Sequence, residues 1–280
     1  MTAYAELHAL SNFTFLRGAS HPEELAETAA ELGYKALAIT DECSVSGVVR
    51  AYMTARECGL EKLIIGSEFT LDSGLKLLVL AQNRNGYGEL CKLITIGRRA
   101  ADKGSYKLTA EDFSSGLVDC LVLWIPGRQL TLLSEDAWIL EVFADRLWIA
   151  VELLTDGLQR QRLERLKILG QTLGLPLVAA GDVHMHCRKR RAVQDTITAI
   201  REGVTLDQAG FALYPNGERY LRPLEVLQSV YGDALLAESV RIAETVAFSL
   251  DEIRYEYPDE LVTASNRGGH AEALAGGHSR

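Results

Sequence analysis

The sequence predicts a parallel α/β fold, most simply a barrel of seven strands. The first observation is that seven short apolar runs alternate with segments of helical periodicity, an order typical of parallel sheets. The second is that neither a G-x-G-x-x-G motif nor a P-loop follows any of these runs, which disfavours nucleotide-binding open sheets. An open doubly wound sheet remains the alternative. The length of 280 residues alone suggests roughly two domains, but α/β barrels of about 200–250 residues fold as one.

The predicted strands share a short apolar run that ends in polar or turn residues. In chain order they are 4–10, 35–40, 62–66, 75–81, 119–124, 147–153 and 177–181. The helices predicted between them are 22–32, 45–58, 86–101, 130–145, 158–173 and 189–203. Gly33 and Gly59 follow the first two helices directly, as expected of glycine at a helix C-terminus.

The pattern changes after Gly203, and we predict three parts. Residues 1–203 form the barrel core. Residues 204–261 form an extension with a turn-rich aromatic stretch, helices at 222–231 and 234–248, and an extended acidic segment at 251–260. Residues 262–280 contain glycine pairs and few apolar side chains, so we predict a disordered tail.

Composition and charge restrict the class of protein. The net charge of −9 and the pI of about 5.3 disfavour nucleic-acid binding by the whole surface. The five cysteines are scattered and form no C-x-x-C pair, which favours free thiols in a reducing compartment. The start MTAYAEL has neither a basic nor an apolar region, and no apolar run reaches membrane-spanning length. We therefore expect a cytoplasmic protein without membrane contact.

Polar side chains gather at the ends of four predicted strands, and in a barrel these ends meet at one mouth. They are His8 near the end of the first strand, Asp41 and Glu42 after the second, Glu68 after the third, and Asp182 and His184 after the seventh. These residue types are ligands for cations such as Zn²⁺ and Mn²⁺. If 177–184 is extended, Asp182 and His184 lie on the same side. A polar mouth without metal is the alternative.

A dense basic run follows this last strand. It consists of Arg188, Lys189, Arg190 and Arg191 at the start of a predicted helix. A solvated helix face is the simpler interpretation. The functional interpretation is a contact with the DNA backbone or with another protein domain.

Several segments resemble the PHP (polymerase and histidinol phosphatase) domain. They are ELHALSNFTFLRGAS at 6–20, ALAITDECSVSG at 36–47, GSEF at 66–69, LAQNRNGYGELCKLIT at 80–95 and VAAGDVHMH at 178–186. More narrowly, together with ERYLRP at 218–223 and LDEIRYEYPDE at 250–260, they resemble the PHP domain of bacterial error-prone C-family DNA polymerases. The resemblance covers about residues 3–261. It implies a distorted, TIM-barrel-like (β/α)7 barrel with extra C-terminal helices.

The chain departs from the active PHP pattern at several metal-ligand positions. The opening His-x-His is His8 followed by Leu10, which cannot bind a metal. Arg17 stands where the family has an acidic residue or histidine, and Lys76 where proofreading members have a histidine. A cation at such a position opposes metal binding. Glu42 replaces the histidine of Thr-Asp-His, and its carboxylate can still bind a metal with a different reach.

The retained ligand positions are His8, Asp41, Glu68, Asp182 and His184. We therefore expect a degenerate site with at most one weakly bound divalent ion (Zn²⁺, Mn²⁺ or Mg²⁺). Arg17 and Lys76 are expected to replace the charge of the lost metals by pairing with Glu42, Glu68 or Asp182.

The resemblance also implies a function for a longer protein. The parent enzyme would be a Mg²⁺-dependent polymerase for damage-induced translesion synthesis, and its palm carboxylates would lie outside this chain. The isolated chain is then expected to be inactive and structural. Its partners would be the palm and thumb domains, DNA through the whole enzyme, and other mutasome or replication proteins. The alternatives are a metal-dependent phosphoesterase or 3′–5′ exonuclease, and a non-catalytic interaction module.

Overall fold

The computed structural model describes residues 2–253, in which seven strands form one sheet in chain order. The strands are β1 (Ala5–Ala9), β2 (Ala36–Ile39), β3 (Leu63–Thr70), β4 (Lys76–Ala81), β5 (Cys120–Ile125), β6 (Leu147–Val151) and β7 (Leu177–Ala179). Beyond the end of β7, the Leu10 N–H donates to the Val183 carbonyl (2.8 Å) and the Val183 N–H donates to the His8 carbonyl (2.9 Å). These bonds bring the last strand to the first and nearly close the barrel, so the predicted fold class is confirmed.

Eight α-helices accompany the strands in this part of the chain. They are α1 (Pro22–Glu31), α2 (Val48–Cys58), α3 (Arg84–Arg99), α4 (Trp138–Val142), α5 (Gln159–Leu173), α6 (Arg191–Glu202), α7 (Leu224–Tyr231) and α8 (Asp233–Thr245). No helix between residues 2 and 253 is long and apolar enough to span a membrane. The helix predicted at 130–145 is wrong in length, because Leu130 is left-handed (φ 53°) and only the short α4 forms.

Strand β4 runs antiparallel to both of its neighbours, which corrects the all-parallel expectation. Residues 71–75 are the only connection between β3 and β4, and Thr70 pairs with Lys76. A parallel crossover needs a dozen or more residues, so five residues can only form a hairpin. Gly74 supports the turn with φ 87°. The reversal places the first residue of β4, Lys76, at the end of the barrel where the parallel strands finish.

Small and branched apolar side chains fill the barrel. The interior cluster consists of Ala5, Leu7, Ala36, Ala38, Ile64, Leu78, Leu80, Leu121, Leu123, Ile125, Trp148, Ala150, Val178 and Ala180, joined by Ile242, Ala243 and Val246. The last three lie in or just after α8, which packs against β1 and β7. Helix α8 therefore covers the end of the barrel opposite the predicted mouth.

A buried carboxylate joins the two edge strands from the outside. Glu6 Oε1 accepts the N–H groups of His8 (2.9 Å) and Gly181 (2.8 Å), and Glu6 Oε2 accepts the Tyr4 hydroxyl (2.9 Å). A Cβ on Gly181 would lie 2.2 Å from Glu6 Oε2. Glycine at position 181 is therefore what admits this carboxylate.

The boundary predicted at residue 203 stays a prediction. Helices α7 and α8 follow it, and α8 contacts β1 and β7. The tail predicted to be disordered, 262–280, lies outside the described residues. So does the part of the predicted extended segment 251–260 that begins at residue 254.

Candidate metal centre

Some side chains at the mouth continue the inward face of a strand. Glu152 lies two residues after Ala150, and Asp182 lies two residues after Ala180, both of which line the interior. Lys76 lies two residues before Leu78 because β4 runs the other way. The alternation of side chains along β4 and β6 therefore brings Lys76 and Glu152 to one place, whereas Asp182 reaches it through a turn beyond the end of β7.

His8 lies between two carboxylates. Its Nδ1 is 2.9 Å from Glu152 Oε1, and its Nε2 is 2.9 Å from Glu68 Oε2. Burial would lower the pKa of His8, but the bonds to Glu152 and Glu68 outweigh burial and raise it. Both ring nitrogens face acceptors, which is the arrangement of an imidazolium with two donors.

Glu68 forms ion pairs with three cationic side chains although it is fully buried. Its Oε1 lies 2.7 Å from Arg17 Nη1 and 3.3 Å from Lys76 Nζ, while Oε2 faces His8. Burial would raise the pKa of Glu68, but the charge of Arg17, with His8 and Lys76, holds it well below its usual value. The carboxylate is therefore ionised at neutral pH.

Arg17 joins Glu68 to Glu42. Its Nη1 also donates to Glu42 Oε2, and Glu42 Oε1 accepts the Tyr106 hydroxyl at 2.9 Å. Burial would lower the pKa of Arg17, but Glu68 and Glu42 raise it. Arg17 and Lys76 therefore pair with carboxylates, as we expected if these two cations replace the charge of lost metal ions.

Asp182 pairs with His184 and Arg219. His184 Nε2 is 2.9 Å from Asp182 Oδ1, and Arg219 contacts Oδ2. The extended conformation expected for 177–184 is wrong, since β7 ends at Ala179 and Asp182 has φ 46°. The two side chains still meet, through a turn that aspartate tolerates better than most residues.

Burial lowers the pKa of both His184 and Arg219. Burial, followed by the charges of Arg17 and His8, holds the pKa of His184 well below its usual value. Burial lowers the pKa of Arg219 to about 10, so Arg219 remains charged at neutral pH. The neutral His184 ring leaves Nδ1 without a hydrogen-bond partner among the described residues.

Asp41 does not join this group. Its Oδ1 accepts the Ser11 N–H (2.8 Å) and the Thr14 hydroxyl (2.7 Å), and its Oδ2 accepts the Ser11 hydroxyl (2.7 Å). Burial raises the pKa of Asp41 despite these bonds. The side chain holds the 11–14 loop, whose Thr14 hydroxyl also accepts the Glu42 N–H at 3.0 Å.

Three buried residues come close enough to hold one divalent ion. Donor atoms of His8, Glu68 and Asp182 all lie within 4.8 Å of one another. The charges, however, are already balanced, because the carboxylates Glu42, Glu68, Glu152 and Asp182 face the cationic groups His8, Arg17, Lys76 and Arg219. A bound ion would have to displace a proton or a guanidinium. In this arrangement the residues do not fit a resident metal, and Leu10 is a buried apolar side chain.

Two residues of the mouth were missed from the sequence. Glu152 follows β6 directly, so the strand-end rule that selected Glu68 could have found it. Arg219 carries no such signal, because it lies in an irregular segment far along the chain. Its carbonyl accepts the N–H groups of His184 (2.9 Å) and Met185 (3.0 Å), and this pairing brings the guanidinium to Asp182.

The basic run lies beside the mouth and is largely paired within the chain. Arg188 contacts Glu218 at 2.8 Å, Arg190 contacts Glu24, and Arg191 contacts Asp195 at 2.7 Å. These carboxylates neutralise part of the positive charge available to a phosphate backbone. A role for Arg188–Arg191 in binding DNA or another domain stays a prediction.

A model of the PHP domain family matches residues 6–122, from β1 into β5. Over these residues the chain is similar to the PHP domain. The matched part contains His8, Arg17, Glu42 and Glu68, whereas Asp182 lies beyond it. The positions that depart from the active pattern therefore lie within the match.

Longer relatives match almost the whole chain. It is 56% identical over 260 residues to the error-prone DNA polymerase of Methylococcus capsulatus, which covers 92% of this chain and 25% of that protein. It is 52% identical over 266 residues to the error-prone DNA polymerase of Pseudomonas aeruginosa, which covers 95% and 26%. The chain thus spans about a quarter of the length of these curated relatives.

Solved structures are more distant. A protein from Bifidobacterium adolescentis described as a candidate metal-dependent phosphoesterase shares 17% identity with a TM-score of 0.49, over 65% of this chain and 88% of its own. An amidohydrolase from Chromobacterium violaceum shares 16% with a TM-score of 0.45, over 66% and 88%. Likeness at this level gives no information on the chemistry of the mouth.

Proposed function

We propose that this chain acts as the PHP-domain part of a DNA polymerase that copies damaged templates with low fidelity. The support is the identity of more than half over nearly the whole chain with proteins named error-prone DNA polymerase. The polymerase active site, with its Mg²⁺, would lie in the palm outside this sequence. The partners would be the palm and thumb domains and, through the whole enzyme, DNA and other replication proteins in the bacterial cytoplasm.

Within that enzyme the domain's role is structural, and the mouth is held by ion pairs instead of metal ions. The observation that carries this is Arg17 between Glu42 and Glu68, with Lys76 on the same Glu68 oxygen. Hydrolysis by multi-metal enzymes depends on ions that bind the phosphate and generate hydroxide. In a mouth whose carboxylates bind arginine and lysine, such ions would have to displace these cations.

The test places this chain in a whole enzyme. In a chimera, it replaces the matching 260 residues of the Methylococcus capsulatus relative. Primer extension with Mg²⁺ on damaged and undamaged templates is expected from the chimera and not from the isolated chain. An inactive chimera that is folded would contradict the proposed function.

The cluster of His8, Glu68 and Asp182 favours one alternative, a metal-dependent phosphoesterase or 3′–5′ exonuclease. It predicts Mn²⁺- or Zn²⁺-stimulated hydrolysis of a phosphate monoester or of a primer 3′ end, abolished in His184→Ala. We expect no such activity from either the isolated chain or the chimera.

A further inference from the structure

Helix α6 turns its polar side inward. Its buried residues are Gln194, Thr198 and Ala199, whereas Val193 and Ile200 are 40% and 58% exposed. Surface helices of globular proteins normally bury the apolar side and expose the polar one. Contacts within the isolated chain therefore do not explain why α6 has apolar residues on its exposed side.

The inner face of α6 has a partner within the chain. The Gln194 side-chain amide donates to the Arg17 carbonyl at 2.9 Å, and the Thr198 hydroxyl donates to the Gln194 carbonyl at 2.8 Å. The helix thus supports the loop that carries Arg17. Its outer face is what remains to be explained.

The outer face continues beyond the helix, and we call it the α6 stripe. It consists of Val193, Ile197, Ile200, Val204, Leu206 and Phe211. Of the fourteen large apolar side chains exposed between residues 2 and 253, five lie between 193 and 211. Clustered exposed apolar residues mark contact surfaces, whereas scattered ones do not.

The spacing within the stripe indicates the shape of its partner. Val193, Ile197 and Ile200 are separated by four and three residues within α6, which is the spacing of a helix that packs along another helix. Val204 follows the end of α6 directly after Gly203. The neighbouring charges are paired within the chain, Arg191 with Asp195 and Arg201 with Glu202. Apolar contact, and not charge, is therefore the attraction, which disfavours nucleic acid at this face.

We propose that the α6 stripe docks an apolar helix of the polymerase portion that the longer relatives carry. This proposal rests on the proposed function. The relatives are about four times as long as this chain, so most of their sequence must pack outside the PHP domain. Residues 254–280 are a poorer occupant, since they contain only three large aliphatic residues and two tyrosines.

The experiment compares hydrogen exchange in the isolated chain and in the chimera. The amide hydrogens of peptides from 191–204 are expected to exchange about tenfold more slowly in the chimera than in the isolated chain, because docking protects the helix. Ile200→Asp should abolish this protection. Ile168→Asp is the matched control, because Ile168 is 62% exposed on α5 and lies outside the stripe. Both isolated variants should keep the unfolding midpoint of the parent chain.

Several results would overturn the proposal. Equal exchange of 191–204 in both proteins would show that nothing in the polymerase portion covers the stripe. A dimer of the isolated chain that Ile200→Asp dissociates in sedimentation would assign the face to a second copy. Faster exchange at the stripe after truncation to 1–253 would assign it to the chain's own last residues.

The readouts also separate this proposal from the function on which it rests. Protection of the stripe in a chimera that does not extend primers would refute the function and leave the docking. Primer extension by a chimera whose stripe is not protected would support the function and refute the docking. Exchange in β3 peptides reports whether the chimera folds. If it does not, the comparison is made between the intact Methylococcus protein and its isolated matching 260 residues.

Discussion

At the scale of single residues, Arg17 is the side chain on which the mouth depends most. Arg17→Met would leave Glu68 buried with less compensation, and losing one partner of a buried pair destabilises by about 2–4 kcal/mol after allowance for partial exposure. Urea unfolding measures this loss. Lys35→Met removes the exposed pair with Glu61 and should cost nothing measurable. Arg17→Met with Glu68→Gln should recover part of the loss, and a double variant as unstable as the single one would contradict the pairing.

The depressed pKa of Glu68 makes the stability depend on pH. In the unfolded chain a glutamate has a pKa of about 4.3. In the folded chain the pKa of Glu68 lies well below this usual value. The contribution of Glu68 is therefore complete above about pH 5 and is lost as the pH falls through the folded pKa. Urea midpoints between pH 7 and pH 3 should fall less steeply in Arg17→Met than in the parent chain, and parallel curves would refute this linkage.

At the scale of elements, the β3–β4 hairpin sets the position of Lys76. Gly74 holds the turn at φ 87°, where a Cβ costs about 1–2 kcal/mol. Gly74→Ala should therefore destabilise the chain by about 1 kcal/mol in urea unfolding. Gly88→Ala is the control of opposite sign, because Gly88 lies exposed inside α3 and alanine favours a helix by about 0.5–1 kcal/mol. Equal effects at both positions would contradict the assigned turn.

Periodicity found most of these elements but not how they are oriented. The strands β1 to β7 were predicted because buried runs of apolar residues are local features of the sequence. The direction of β4 was missed although the short 71–75 connection already forbids a parallel crossover. The positive φ of Asp182 was not predictable, because it depends on contacts with Arg219 and the closing edge of the barrel.

At the scale of the whole molecule, resemblance and strand ends predicted which side chains share the mouth, and the structure adds the cations that pair with them. His8, Glu68 and Asp182 meet as expected. Arg219 could not be placed, because it arrives from an irregular segment through the pairing of Met185 with Tyr220. Such long-range pairings leave no periodic signal in the sequence.

The metal content of the purified chain tests the central claim most directly. The chain is incubated with Zn²⁺ or Mn²⁺ and dialysed without chelator, and its metal content is measured by inductively coupled plasma mass spectrometry. Arg17→Glu with Lys76→His serves as the positive control, because it removes two cations and supplies ligand types. A mouth neutralised by His8, Arg17, Lys76 and Arg219 predicts well under one ion per parent chain. One or more tightly held ions per parent chain would contradict the account.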